Sequence, residues 1–294
     1  MRVNDNIEIV SEFICSQEDE PGTHKSQRQI AETLGCAQSS VHNIVKNDLK
    51  LKAFKRIKTS RKTTAVKTKR KQRARLLLDR FDKKEVESIV FTDEKDFTFE
   101  IKKNRQNNPV YGEKKRKLDI PPSRLYHEEN SFSKKLMVLG GVSWYGKTDI
   151  HFIDPGTKVN KELYIELLDK KLLPDCRQLH PNGFILQQDG ASSHTSDDTQ
   201  NYLRHENINY ITKDQWPPSS PDLNPMDYCI WNLLKEKVYK GEREPFDLDS
   251  LKSKIRESWE SISLLDIRKA IKKWKKRLRL VIQEEGGPIE HCRV

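Results

Sequence analysis

The sequence predicts an α/β domain, a mixed sheet flanked by helices, preceded by a small all-α unit. Three observations carry this. Residues 26–48 pattern as two short helices about a glycine. From Glu87 a basic run gives way to alternating strand and helix patterns. The apolar run Phe184-Ile185-Leu186, leading through two glutamines to Asp189-Gly190, reads as a buried strand that opens onto a turn. The 294 residues suffice for one sizeable domain and a small one.

Taken in order, residues 5–17 suit a helix with Val10, Phe13 and Ile14 on one face. Ser26 caps the next helix, in which Ile30, Ala31 and Leu34 share a face. Gly35 ends it, because the turn there wants a positive φ. A second helix starts at Gln38 with Val41, Ile44 and Val45 inward. Two helices about such a turn fit helix-turn-helix geometry, in which the second helix enters the major groove. Its reading residues are then Gln38, Ser39, Ser40, His42 and Asn43. An ordinary helical hairpin is the alternative.

Residues 46–84 hold 17 Lys/Arg against three Asp, so the whole surplus of +11 sits in this segment. A segment so one-sided repels itself unless a polyanion neutralises it, and nucleic acid is the natural polyanion. Residues 51–85 read as a basic linker tracking phosphates, through Lys55, Arg56, Lys58, Arg61, Lys62, Lys69, Arg70 and Lys71. The linker passes into a helix through Leu76, Leu77 and Phe81. Lys69-Arg70-Lys71 also suits a nuclear address.

The α/β domain spans 86–245. Ser88–Thr92 is a strand ending at Asp93, and Phe97–Ile101 is the next strand. Residues 102–134 form a long basic loop. Leu136–Trp144 is an apolar strand interrupted by Gly140-Gly141, with Asp149–Ile153 as its hairpin partner. An amphipathic helix covers Asn160–Leu173, followed by the strand to Asp189, a helix at Asp197–His205 and a strand at Asn209–Ile211. After the proline-rich stretch 215–225, Asn224 caps a helix whose first position is Pro225, which puts Asp227 in its first turn. Residues 246–294 carry two helices, Leu248–Trp259 and Leu264–Ile282. No apolar run approaches the roughly 20 residues of a membrane helix, and the N-terminus lacks a signal peptide's apolar core. The five cysteines are scattered and never in CxxC spacing. They read as reduced, intracellular thiols rather than a zinc site.

Three aspartates fall at element ends: Asp93, Asp189 and Asp227. Side by side they repel, and divalent cations relieve that. Two Mg²⁺ ions about 4 Å apart activate the attacking oxygen and stabilise the leaving one in phosphodiester cleavage. Oxygen ligands without a cysteine or imidazole cluster select such a hard metal. Alternatives stay open here. Glu94 or Asp96 competes with Asp93, Asp189-Gly190 is a favourable turn pair, Asp227 suits a helix start regardless, and Asp222 is suited to bracing the loop by bonding backbone amides.

At FTDEKDF (91–97), LGGVSWYGKTDIHFIDPG (139–156), QQDGASSH (187–194) and WPPSSPDLNPMDYCIWNLLK (216–235) the chain resembles mariner-type transposases. These are cut-and-paste enzymes with an RNase H-like catalytic domain. The resemblance covers most of 25–240. It implies that Asp93, Asp189 and Asp227 are the catalytic metal ligands. The 37 residues between the last two match the subgroup with a third aspartate rather than a glutamate. It further implies Mg²⁺- or Mn²⁺-dependent cleavage, with two ions per site, at terminal inverted repeats. Strand transfer into target DNA follows, with water and then a DNA 3′-hydroxyl as nucleophiles, and no covalent enzyme intermediate. A homodimer on double-stranded DNA, paired with help from loop 102–134, and a nuclear location are implied as well. The family usually carries two helix-turn-helix units. Here one unit, 1–50, and a linker precede Asp93, which leaves truncation open, as well as a transposase-derived protein that binds DNA without mobilising it.

Overall fold

The computed structural model describes residues 3–15, 25–52, 61–100, 134–241 and 246–292. Lys55, Arg56, Lys58 and the basic loop up to residue 133 lie outside them. The chain divides into two compact units, Met1–Lys58 and Thr59–Val294.

The first unit holds helices α1 (Val3–Cys15), α2 (Gln27–Leu34) and α3 (Gln38–Asn43), the last running on through a wider π turn, Ile44–Asp48. Ser26 and Gln29 form a reciprocal capping box at the start of α2. Gly35 ends α2 at φ +62°, a conformation that costs glycine little. Ile30, Ala31, Val41, Ile44 and Val45 then close a small core with Val10 of α1.

The second unit opens with α4 (Thr64–Arg80) and α5 (Lys83–Glu87). The sheet follows, with β1 (Ile89–Thr98), β2 (Lys135–Ser143), β3 (Gly146–Lys147) and β4 (His151–Ile153). Helix α6 (Lys161–Leu167) passes through a π turn at Leu168–Leu172 into α7 (Leu173–Leu179). Then come β5 (Ile185–Gln187), α8 (Ser192–Thr195), α9 (Asp197–His205) and β6 (Asn209–Tyr210). A 3-10 turn at Pro221–Leu223 and a π turn at Met226–Ile230 lead into α10 (Trp231–Tyr239). The chain closes with α11 (Leu248–Glu260), α12 (Leu264–Lys272) and α13 (Trp274–Gln283).

Strand order is β3-β2-β1-β5-β6, with β4 also on β2. β2 lies antiparallel to β1, while β5 and β6 run parallel to it. This is the mixed sheet flanked by helices of an RNase H-like fold. Period-2 alternation feeds two cores. Ile89, Phe91 and Phe97 pack with Trp231, Trp259 and Trp274 from the C-terminal helices, and Val90 and Leu186 pack with Tyr164, Leu168 and Leu172 on the other face. Each such side chain contributes roughly 1.5–3 kcal/mol on burial.

Three sequence expectations change. β1 is one ten-residue strand with Asp93 in its middle, opposite Gly140, instead of two strands with Asp93 at an end. The supposed linker is helical over Thr64–Arg80, and its Ala74 and Leu77 belong to the same core as α13. Leu264–Ile282 is two helices, meeting at Lys273, instead of one, and they share the sheet's core.

Candidate active site

Thr92 ties together the segments that carry the three aspartates. Its hydroxyl donates to the Gln187 carbonyl (2.7 Å), two residues before Asp189. Its own carbonyl accepts from the Asn224 amide (3.0 Å), three residues before Asp227. Asn224 in turn fixes the helix start: its Oδ1 accepts from the Met226 N–H and its carbonyl from the Asp227 N–H. Each bond is buried and worth about 1 kcal/mol, with a larger penalty if one partner is left unmet.

Asp93 projects to the face occupied by α10. The Trp231 indole N–H donates to its Oδ2 at 2.7 Å. Burial first, and then the Asp227 charge, push the Asp93 carboxyl up to about 8, against an ordinary 3.8. Asp227 is also raised by burial. Lys95 opposes that rise, with Nζ 3.2 Å from Oδ1, and so does a hydrogen bond from Asp93; the charge of Asp189 adds to it. Burial and like charge thus disfavour ionising both carboxylates in this half-buried place. A divalent cation would relieve that, and the all-oxygen donor set fits Mg²⁺ or Mn²⁺.

Asp189 follows β5. Its Oδ1 accepts from the Ala191 N–H (2.9 Å) and meets His194 Nδ1 at 2.7 Å. Burial works against its charge, but these contacts outweigh burial and hold the carboxyl below its ordinary value. His194 Nε2 reaches Glu94 Oε1 at 3.3 Å, and the imidazole lies 4.0 Å from the Tyr164 ring, centroid to centroid. Burial lowers His194, and the two carboxylates overcome this and lift it to about 10. It is therefore an imidazolium at neutral pH, clamping Asp189.

Glu94 points to the opposite face of β1 and pairs with His194, while Asp96 pairs with Lys135 at the surface (3.3 Å). Asp222 braces the loop through the Arg70 guanidinium, not through backbone amides. Sequence reasoning missed Lys95, Trp231 and the clamp of His194. All three stood in stretches already singled out, Lys95 in FTDEKDF, Trp231 in the block 216–235 and His194 closing QQDGASSH, but nothing there gave them these roles. Among the described residues, only Glu284, His291 and Cys292 bring three ligand atoms within 4.8 Å of one another. The ligand atoms of the three aspartates are spread more widely.

Of the expected DNA contacts, Gln38, Ser39, Ser40, His42 and Asn43 are all exposed on α3. Arg61 and Lys69 are exposed and Lys62 is half-buried. Arg70 is a correction: it is fully buried against Asp222, because six protein acceptors meet its donors there. Lys71 is committed to Glu285 (2.6 Å), so it too is a poor phosphate contact.

Residues 88–252, more than half of the chain, match the DDE superfamily endonuclease family. The chain belongs to the DDE superfamily endonucleases. Within this superfamily its relatives are transposases. It is 30% identical over 191 residues to the transposable element Tc3 transposase of Caenorhabditis elegans, covering 61% of this chain and 56% of that one. It is 26% identical over 133 residues to the Tcb1 transposase of Caenorhabditis briggsae, covering 45% and 46%. The chain spans about half the length of the curated relatives it matches. The fold is that of the Mos1 transposase. Its paired-end complex with the left transposon end superposes with a TM-score of 0.73 at 22% identity, covering 96% of this chain and 80% of that one. The Mos1 mariner paired-end complex with Mn gives 0.74 at 22% identity, covering 94% and 78%. As a DDE endonuclease, the chain carries Asp93, Asp189 and Asp227 inside the matched residues.

Proposed function

We propose that this DDE endonuclease is a cut-and-paste DNA transposase that cleaves at terminal inverted repeats and joins the freed ends to target DNA. The observation that carries the reading is that the segments bearing Asp93, Asp189 and Asp227 are tied together at Thr92, with burial and like charge raising the Asp93 and Asp227 carboxyls. When bound, Mg²⁺ or Mn²⁺, two ions per site, supplies Lewis acidity to the scissile phosphate and an activated water. The chain's own residues do the rest. Asp93 and Asp227 would hold the cations in their ionised form, and Trp231 orients the Asp93 carboxylate. Lys95 favours the ionised form of Asp227, and His194 presents Asp189. Similar solved complexes of Mos1 hold Mn or Mg and transposon ends, which supports this reading.

Helix α3 reads base edges through Ser39, His42 and Asn43, while Arg61, Lys62 and Lys69 contact phosphates. The protein acts as a homodimer on double-stranded DNA, in the nucleus. The test is nicking of a terminal-repeat duplex with Mn²⁺. Asp93→Asn, Asp189→Asn and Asp227→Asn should each reduce it by at least on the order of 100-fold while leaving duplex affinity within about twofold. Cleavage that persists in any of them removes that residue from the site.

A further inference from the structure

The run Lys69-Arg70-Lys71 has a basic residue in the interior at its centre. Arg70 is 0% exposed and every donor atom of its guanidinium is engaged. Nε donates to the Gly286 carbonyl (2.9 Å). One terminal nitrogen donates to the Ser219 carbonyl (3.0 Å), Ser220 Oγ (2.5 Å) and Asp222 Oδ1 (3.0 Å). The other donates to Asp222 Oδ2 (2.7 Å) and the Gly287 carbonyl (3.3 Å). This is a bidentate fork with its remaining donors satisfied, an arrangement only arginine makes.

What the fork holds is the approach to the third aspartate. Ser219 adopts φ +50°, a left-handed conformation unfavourable for serine, and its carbonyl is bound by Arg70. Asp222 is gripped on its side chain by Arg70 and on its carbonyl by Arg277 (2.9 Å). Two residues on, Asn224 bonds Thr92 and receives the Asp227 N–H. A chain of buried, single-valued contacts thus runs from Arg70 to Asp227. At the other end, Gly286 is fixed by space: a Cβ there would lie 2.0 Å from the Lys67 carbonyl of α4.

We propose that Arg70 is a positioning residue for Asp227. It touches neither DNA nor metal, and by locking the loop 219–224 it sets where the third carboxylate meets the cations. This rests on the reading of Asp93, Asp189 and Asp227 as metal ligands. Arg70→Lys keeps the charge but loses the fork. It should weaken Mn²⁺ binding to the DNA-free protein, measured calorimetrically, by about tenfold, and raise the half-saturating Mn²⁺ for nicking by the same factor. Duplex affinity should stay within twofold. The indole N–H resonance of Trp231, assigned by Trp231→Phe, should shift. Ser220→Ala, which removes one of the fork's acceptors and the bond that Ser220 Oγ donates to the Pro218 carbonyl (3.0 Å), should move each quantity the same way by two- to threefold, and it decides the matter should Arg70→Lys not fold. A lowered melting temperature with Mn²⁺ affinity and the Trp231 resonance unchanged overturns the proposal and leaves Arg70 a purely structural residue. Wild-type Mn²⁺ binding that is indifferent to Asp93→Asn would instead sink the active-site reading itself, whatever Arg70 does.

Discussion

Asp93 carries a stability cost that its chemistry requires. Its carboxyl titrates near 3.8 when exposed and near about 8 in the fold, so the folded state binds the proton more tightly. That contribution is complete below 3.8 and is lost as pH rises through about 8. In chelator, the wild type should therefore melt at progressively lower temperature across this window. Asp93→Asn should lack this decline and be the more stable protein at pH 8. Thermal melts at several pH values check this, and equal slopes for the two proteins would refute it. His194 adds a loss of the same sign only above its ordinary 6.5, as pH approaches about 10. Asp189 and Asp227 were legible because glycine, strand and proline patterns place them at element ends, whereas Asp93 stands in the middle of β1. Arg70 was not, because nothing in a run of like charges marks the member that turns inward. Lys95 and Trp231 were silent for a similar reason: a lysine in a charged strand and a tryptophan in an amphipathic helix declare no partner.

Secondary elements show the same division. The helix-turn-helix was readable through Ser26, Gly35 and the apolar spacing. The length of β1 was not. Its second half, Asp93–Thr98, is largely polar and lacks the apolar alternation of an ordinary strand, yet β2 pairs with it through Thr98. Helix α4 was hidden by its charge, since its apolar contacts come at only a few positions among lysines and arginines. Two tests belong here. Replacing Ser39, His42 or Asn43 should change which duplexes bind, at about 1–3 kcal/mol for each base-edge hydrogen bond removed, in a binding selection. Neutralising Arg61 or Lys69 should instead weaken all duplexes alike and lower the salt slope by roughly one per residue. Gly286→Ala should destabilise the second unit by about 2 kcal/mol or more, read by urea unfolding, because it combines φ +81° with a clash on the Lys67 carbonyl.

For the molecule as a whole, the described residues build separate cores, that of Met1–Lys58 sharing no residue with the two that flank the sheet. Val41→Ala, at 0% exposure, should lower one unfolding transition by about 2 kcal/mol and leave the other unchanged, as resolved by calorimetry. Base selection should fail in that variant while metal binding at the second unit persists. The order of strands and helices was readable along most of the second unit. That its last helices complete the sheet's core was not, because an amphipathic face does not name what it covers.

Arg70 leaves the ribosome long before its final partners. Asp222 follows it by 152 residues, but the carbonyls of Gly286 and Gly287 come only 216 and 217 residues after it. Until then two of the six acceptors around the guanidinium are missing. On the positioning role proposed for Arg70, a polypeptide stopped short of Gly286 should hold Asp227 less firmly, and full Mn²⁺ affinity should appear only once that late glycine pair has been made.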